Sequence, residues 1–293
     1  IAASPLNEDF KLNLLHCCSP LKKTDRRTID RMMKKRYFAI PILAIALHFF
    51  LSNLLYFLVE RLVLDVFHIS PQQFMKHSYW GEILICAVLI LVFFTLYKLL
   101  WRKEISEPRT ATNFKDVLGS LVVGFGICGI SGLWIMLAEQ LPSLQKSVEA
   151  MNAGTENIAG GNAFGTFMIA VIAAPVVEEI LFRGIVLRSM RKFAPAWAAI
   201  LISSVLFGVY HLNIVQAVYA TLMGIAAGIL YEKKRNLLFP ILVHFANNLI
   251  TMLQGFAPSE VNELISIFIL IMIAPAGYIV CRSLRQDKRA DSM

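Results

Sequence analysis

Eight apolar stretches, near residues 37–59, 81–101, 117–138, 163–187, 196–212, 214–231, 237–254 and 261–281, recur along the chain. Each is long enough, or nearly so, to cross ~30 Å of hydrocarbon as a helix. Segments in lipid must satisfy their backbone N–H and C=O groups internally, so the stretches predict an all-α fold, a polytopic transmembrane helix bundle of about eight spans. The fifth to seventh are the shortest. Composition agrees, because only 16% of the 293 residues are charged, where soluble domains approach ~25%.

Lys and Arg alternate between the connecting segments. The N-terminal segment 1–36 and segments 102–116, 188–195, 232–236 and the tail from Arg282 hold 23 of them. Segments 60–80, 139–162, 212–214 and 255–260 hold three. The positive-inside rule therefore places both termini in the cytoplasm and requires an even number of spans. The net charge of +8 is accounted for by topology, which sets nucleic acid aside as a partner and leaves the lipid bilayer. The chain divides into a basic cytoplasmic segment (1–36), N-terminal transmembrane helices (37–159), a transmembrane core (160–254), and a last helix with its basic tail (255–293).

The minor features read as structural. Five scattered cysteines, with Cys17 and Cys18 as free thiols, suggest neither a disulfide framework nor a thiolate metal site. Gly154, Gly160 and Gly161 predict a flexible loop within 139–162. Gly224 and Gly228 are spaced for close helix packing. His48 and Asn53 of the first span read as packing or interfacial groups.

Spans four to seven carry the groups that lipid disfavours: Glu178, Glu179, Arg183, His211, His244, Asn247 and Asn248. A charged side chain at the bilayer centre costs at least ~2.5 kcal/mol. Glu179 and Arg183 are four apart with the acid first, the favourable order for a helical ion pair. Glu178 points about 100° away and has Phe182, not a base, four residues on. Pro175 predicts a break or kink near Ala174, which would put Glu178 in a first helical turn beside free N–H groups. His244 and Asn248 share one helical face. A carboxylate with a histidine can orient and deprotonate water, while histidine and amide groups can stabilise an oxyanion. Counting at ~1.5 Å per residue puts Glu178 ~14 Å, His244 ~10 Å and His211 ~22 Å from the cytoplasmic ends of their spans. Those depths do not match.

The motifs Glu-Glu-x-x-x-Arg (178–183), Phe-x-x-x-His (207–211) and His-x-x-x-Asn (244–248) resemble the set of the CAAX-protease and bacteriocin-processing family. These are intramembrane glutamic endopeptidases related to the prenyl-protein endopeptidases. The resemblance covers roughly 160–250. It implies that Glu178 activates water with help from His211, and that His244 and Asn248 stabilise the oxyanion. It further implies that Glu179 and Arg183 form a structural ion pair and that Phe207 shapes the pocket. It implies a peptide or protein substrate, no cofactor, and a place in a bacterial plasma membrane.

Two other readings use the same residues. A divalent metal on Glu178, His211 and His244 would make a metal-dependent protease, although the His-Glu-x-x-His spacing is lacking. A transporter or idle scaffold is the non-enzymatic alternative. The choice between prenylated, bacteriocin and signalling substrates leaves no mark in the chain.

Overall fold

The computed structural model describes residues 23–68, 70–102, 112–159 and 162–290. Cys17 and Cys18, and Gly160 and Gly161, lie outside them. The first helix, α1, runs Lys23–Arg61 and continues as a π-turn segment, Leu62–Val66. Then come α2 (Pro71–Leu100), α3 (Phe114–Glu139) and α4 (Gln145–Ala159). The composite helix α5 spans 163–190, followed by α6 (Ala196–Tyr210), α7 (Ile214–Lys234), α8 (Leu238–Phe256) and α9 (Ser259–Ala290). All regular structure among the described residues is helical.

Five helices are long and apolar enough to cross a membrane among the described residues, not the eight that the sequence suggests: α1, α2, α3, α7 and α9. The other three, α5, α6 and α8, are the ones that carry the site. α5 changes helix type along its length, and α6 has only 15 residues. α8 spends positions on His244, Asn247 and Asn248.

Two predicted loops prove shorter than expected. The link at 60–80 shrinks to residues 67–70, because Ser70 and Gln73 form a capping box and Pro71 occupies the first turn of α2. The 139–162 loop, expected to be flexible, is largely α4. Its Val148 is buried with Ala138 and Val215, and Asn213 Nδ2 donates to the Ser147 carbonyl at 2.8 Å.

Charge pairs gather at one end of the bundle. Arg191 bonds Glu232 at 3.1 Å, Arg235 bonds Glu232 at 2.9 Å, and Lys234 bonds Asp116 at 2.6 Å. The segments predicted to share the cytoplasmic side thus touch one another. The 139–159 and 213–215 segments meet at the opposite end, where Trp134 Nε1 donates to the Val215 carbonyl.

Close backbone approach fixes the packing. α3 is central, and a methyl at Gly124 would overlap the Val243 carbonyl oxygen of α8. At Gly126 and Gly129 it would overlap carbonyls of α9. Gly224 faces Ser204 and Gly228 faces Ile200, so the expected small-residue seam joins α6 to α7.

Candidate active site

The site is built where α5 changes helix type. Residues Phe167–Ala173 are π-helical, Ala174–Glu179 are α-helical, and Ile180–Leu187 are π-helical again. Of the break or kink expected from the sequence, Pro175 does not produce the break: Ala173 and Ala174 keep helical dihedrals. Glu178 is therefore not in a first turn with a row of free N–H groups. In the π register Ala174 N–H donates to Ile169 O, so the next bond would run from residue 175 to Ala170 O. Proline has no N–H to give. Asn248 Nδ2 donates to Ala170 O instead, at 2.9 Å. The amide of α8 thereby satisfies the carbonyl that Pro175 leaves open.

Glu179 is wholly buried, and its Oε1 accepts from Arg183 Nη1 at 2.7 Å. The predicted ion pair is present. The same Oε1 also accepts from His244 Nδ1 at 3.0 Å, so Glu179 orients the imidazole as well as balancing Arg183. With its Nδ1 proton on Glu179, His244 turns Nε2 toward Glu178, 3.9 Å from Oε2. That Glu178 oxygen is buried and has no hydrogen-bond partner among the described residues.

Phe207 connects these groups. It is fully buried, with the Arg183 guanidinium 4.7 Å above its ring, and its edges meet His211 at 4.9 Å and His244 at 5.7 Å. One aromatic ring therefore stands between the two histidines. The end of α6 orients His211. Its backbone N–H bonds Gly208 O, which frees Phe207 O to accept from His211 Nδ1 at 2.8 Å. Leu212 then adopts φ +56°, a left-handed conformation uncommon outside glycine, and ends the helix sharply.

Asn247 Nδ2 donates to Asn248 Oδ1, which leaves one Nδ2 hydrogen of Asn248 beyond its bond to Ala170. Glu178, Glu179, Arg183, Phe207 and His244 form one contiguous set. His211 joins it through Phe207, and Asn248 through the α5 backbone. No group of three or more His, Cys, Asp or Glu side chains among the described residues is placed to hold a metal ion.

Tyr210 is a residue that the sequence reading passes over. It precedes His211, packs edge-on to Phe182 at 5.4 Å, and shares a 2.8 Å hydrogen bond with His48 Nδ1. His48 is thus a buried partner of the site's wall and not an interfacial group. No spacing rule joins residues 162 apart; the only hint was a histidine in an otherwise apolar span.

The comparisons bear on the same segment. Residues 160–250 match the family model described as type II CAAX prenyl endopeptidase Rce1-like. The chain is 26% identical over 186 residues to YdiL of Bacillus subtilis (strain 168), whose name proposes a membrane peptidase; the match covers 61% of this chain and 72% of that one. It is 25% identical over 180 residues to UPF0177 protein YbdI of Lactococcus lactis subsp. lactis (strain IL1403), covering 60% and 95%. No solved structure matches. The three motifs lie inside the matched span, so residues 160–250 are similar to the Rce1-like CAAX prenyl endopeptidase model over the stretch that carries the site.

Proposed function

We propose that this membrane protein is an intramembrane endopeptidase that hydrolyses a peptide bond with water activated by Glu178. The observation that carries the reading is the placement of His244, with Nδ1 on Glu179 and Nε2 facing the unpartnered Glu178 oxygen. Glu179 is neutralised by Arg183; among the described residues no Lys or Arg pairs with Glu178, and such a carboxylate among apolar helices is explained by use. The Rce1-like match and the peptidase name given to YdiL support the reaction class.

In this mechanism Glu178 removes a proton from water, and His211 Nε2 helps to orient the molecule, its Nδ1 proton being held by Phe207 O. The water oxygen bonds to the carbonyl carbon, and the C=O electron pair moves onto oxygen. The remaining Nδ2 hydrogen of Asn248 and Nε2 of His244 face that oxyanion. To donate there, His244 Nε2 must carry a proton in addition to the one its Nδ1 gives to Glu179. Collapse breaks the C–N bond, and the proton passes to the leaving nitrogen. No step is assigned to a metal or cofactor. Substrates are peptides or proteins at a bacterial plasma membrane, met from the cytoplasmic side, where both termini lie.

The test is Glu178→Gln. Loss of a general base typically lowers turnover ~10²–10⁴-fold. Peptidomes of cells carrying the intact and substituted proteins should differ by products found only with the intact one, at equal amounts of folded protein. Near-normal cleavage by the variant would reject Glu178 as the base.

A further inference from the structure

A cavity of about 390 Å³ lies between α1, α2 and the first π segment of α5, lined by Ser52, Asn53, Tyr56, Glu82, Cys86 and Ile169, among others. It adjoins the site. α2 packs on the Ala174–Glu179 stretch, and Cys86 and Glu82 of α2 lie in the cavity wall.

Of the polar groups that line this cavity, Ser52, Asn53 and Glu82 offer acceptors, beside the Tyr56 hydroxyl and the Cys86 thiol. Asn53 Nδ2 donates to Phe49 O at 2.7 Å, which leaves its Oδ1 as an acceptor beside one remaining Nδ2 hydrogen. Ser52 Oγ gives its proton to His48 O at 2.7 Å and keeps its lone pairs. Glu82 is a carboxylate with no hydrogen-bond or ion-pair partner among the described residues. Three acceptors in one concavity, one of them anionic, fit a guest that brings donors and positive charge. The rim also argues for a guest: exposed Asn53 lies among exposed Phe50, Leu54 and Phe57, on a face where lipid would leave a polar side chain unsatisfied.

We propose that this cavity is a substrate subsite that takes a lysine or arginine side chain of the peptide, with Glu82 as counter-charge and Asn53 and Ser52 as added acceptors. The assignment rests on the endopeptidase reading and supplies its substrate class: apolar peptides with a basic residue near the cleaved bond.

Cys86 provides a readout that needs no cleavage. The full-length Glu178→Gln protein in detergent micelles is alkylated with a small maleimide, and modification of Cys86 is followed by site-resolved mass spectrometry. The probes are acetyl-Leu-Leu-Lys-Leu-Leu-amide and its norleucine and glutamate analogues. The lysine peptide should slow Cys86 alkylation at concentrations about tenfold below those needed for the norleucine peptide, a ~1.4 kcal/mol preference. The glutamate peptide should not protect. Glu82→Gln should bring the lysine and norleucine peptides level; Asn53→Leu, on an exposed helix face, should narrow the gap and is the second variant if Glu82→Gln does not fold. Equal protection by all peptides, no protection by any, or a lysine preference that survives both substitutions overturns the subsite. Because binding is read on a cleavage-deficient protein, that result leaves the hydrolytic reading to be judged by the turnover of Glu178→Gln alone.

Discussion

Glu179 Oε1 accepts from both Arg183 and His244, so one oxygen ties charge balance to imidazole orientation. Removing a single partner of a buried pair strands a charge and costs ~3–5 kcal/mol. Arg183→Ala should therefore lower folded yield and melting temperature, and the double variant with Glu179→Gln should recover part of both. It should not recover turnover, because glutamine holds His244 Nδ1–H more weakly than a carboxylate does. Unchanged melting in the single variant would exclude a stabilising pair. Asn248 is the second test at this scale. The family resemblance implies that it is an oxyanion donor, and its Nδ2 also satisfies Ala170 O. Asn248→Ala should lower kcat by ~10²–10³, and should also destabilise by ~1–3 kcal/mol through the stranded carbonyl. Full activity with lost stability would mean that the residue is only a brace for α5.

At the scale of elements, the site depends on how closely α3 approaches α8. Gly124 has no side chain where the Val243 carbonyl lies, one residue before His244. A methyl there forces the two backbones apart, and a shift of about 1 Å in a catalytic group can cost ~10²-fold in rate. Gly124→Ala should thus depress turnover at that order while Gly132→Ala, which meets nothing within 4 Å, should be silent. Equal activity of the two variants would show that α8 is held elsewhere. The π segments on both sides of Glu178 and Glu179 belong to this scale too. They let Pro175 sit inside a continuous helix, with the consequence read at Ala170.

For the whole molecule, the charge pairs among Asp116, Arg191, Glu232, Lys234 and Arg235 collect the basic links at one end. By the positive-inside rule that end is expected on the cytoplasmic side. A cysteine placed at Arg235 should react with a membrane-impermeant maleimide only after the cells are opened, whereas one at Ser259, beyond the opposite end of α8, should react in intact cells. The reverse pattern would invert the orientation and put substrate access on the outer side.

Much of this protein is determined locally. Apolar runs become helices because lipid offers the backbone no other partner. The i, i+4 spacing of Glu179 and Arg183 is enough to pair them, as is the shared face of His244 and Asn248. The capping signal at Ser70–Gln73 was equally local and shows that α2 starts ten residues earlier than hydropathy alone suggests. What required the tertiary structure was everything that depends on which helices touch and at what height. Phe207 lies between two histidines from different helices, Asn248 answers a carbonyl 78 residues away, and His48 reaches Tyr210 across 162 residues. A periodic pattern specifies which face a residue occupies, but not the neighbour that face will meet. Tilt, register and the glycine contacts of α3 set that neighbour, and they are properties of the packed bundle.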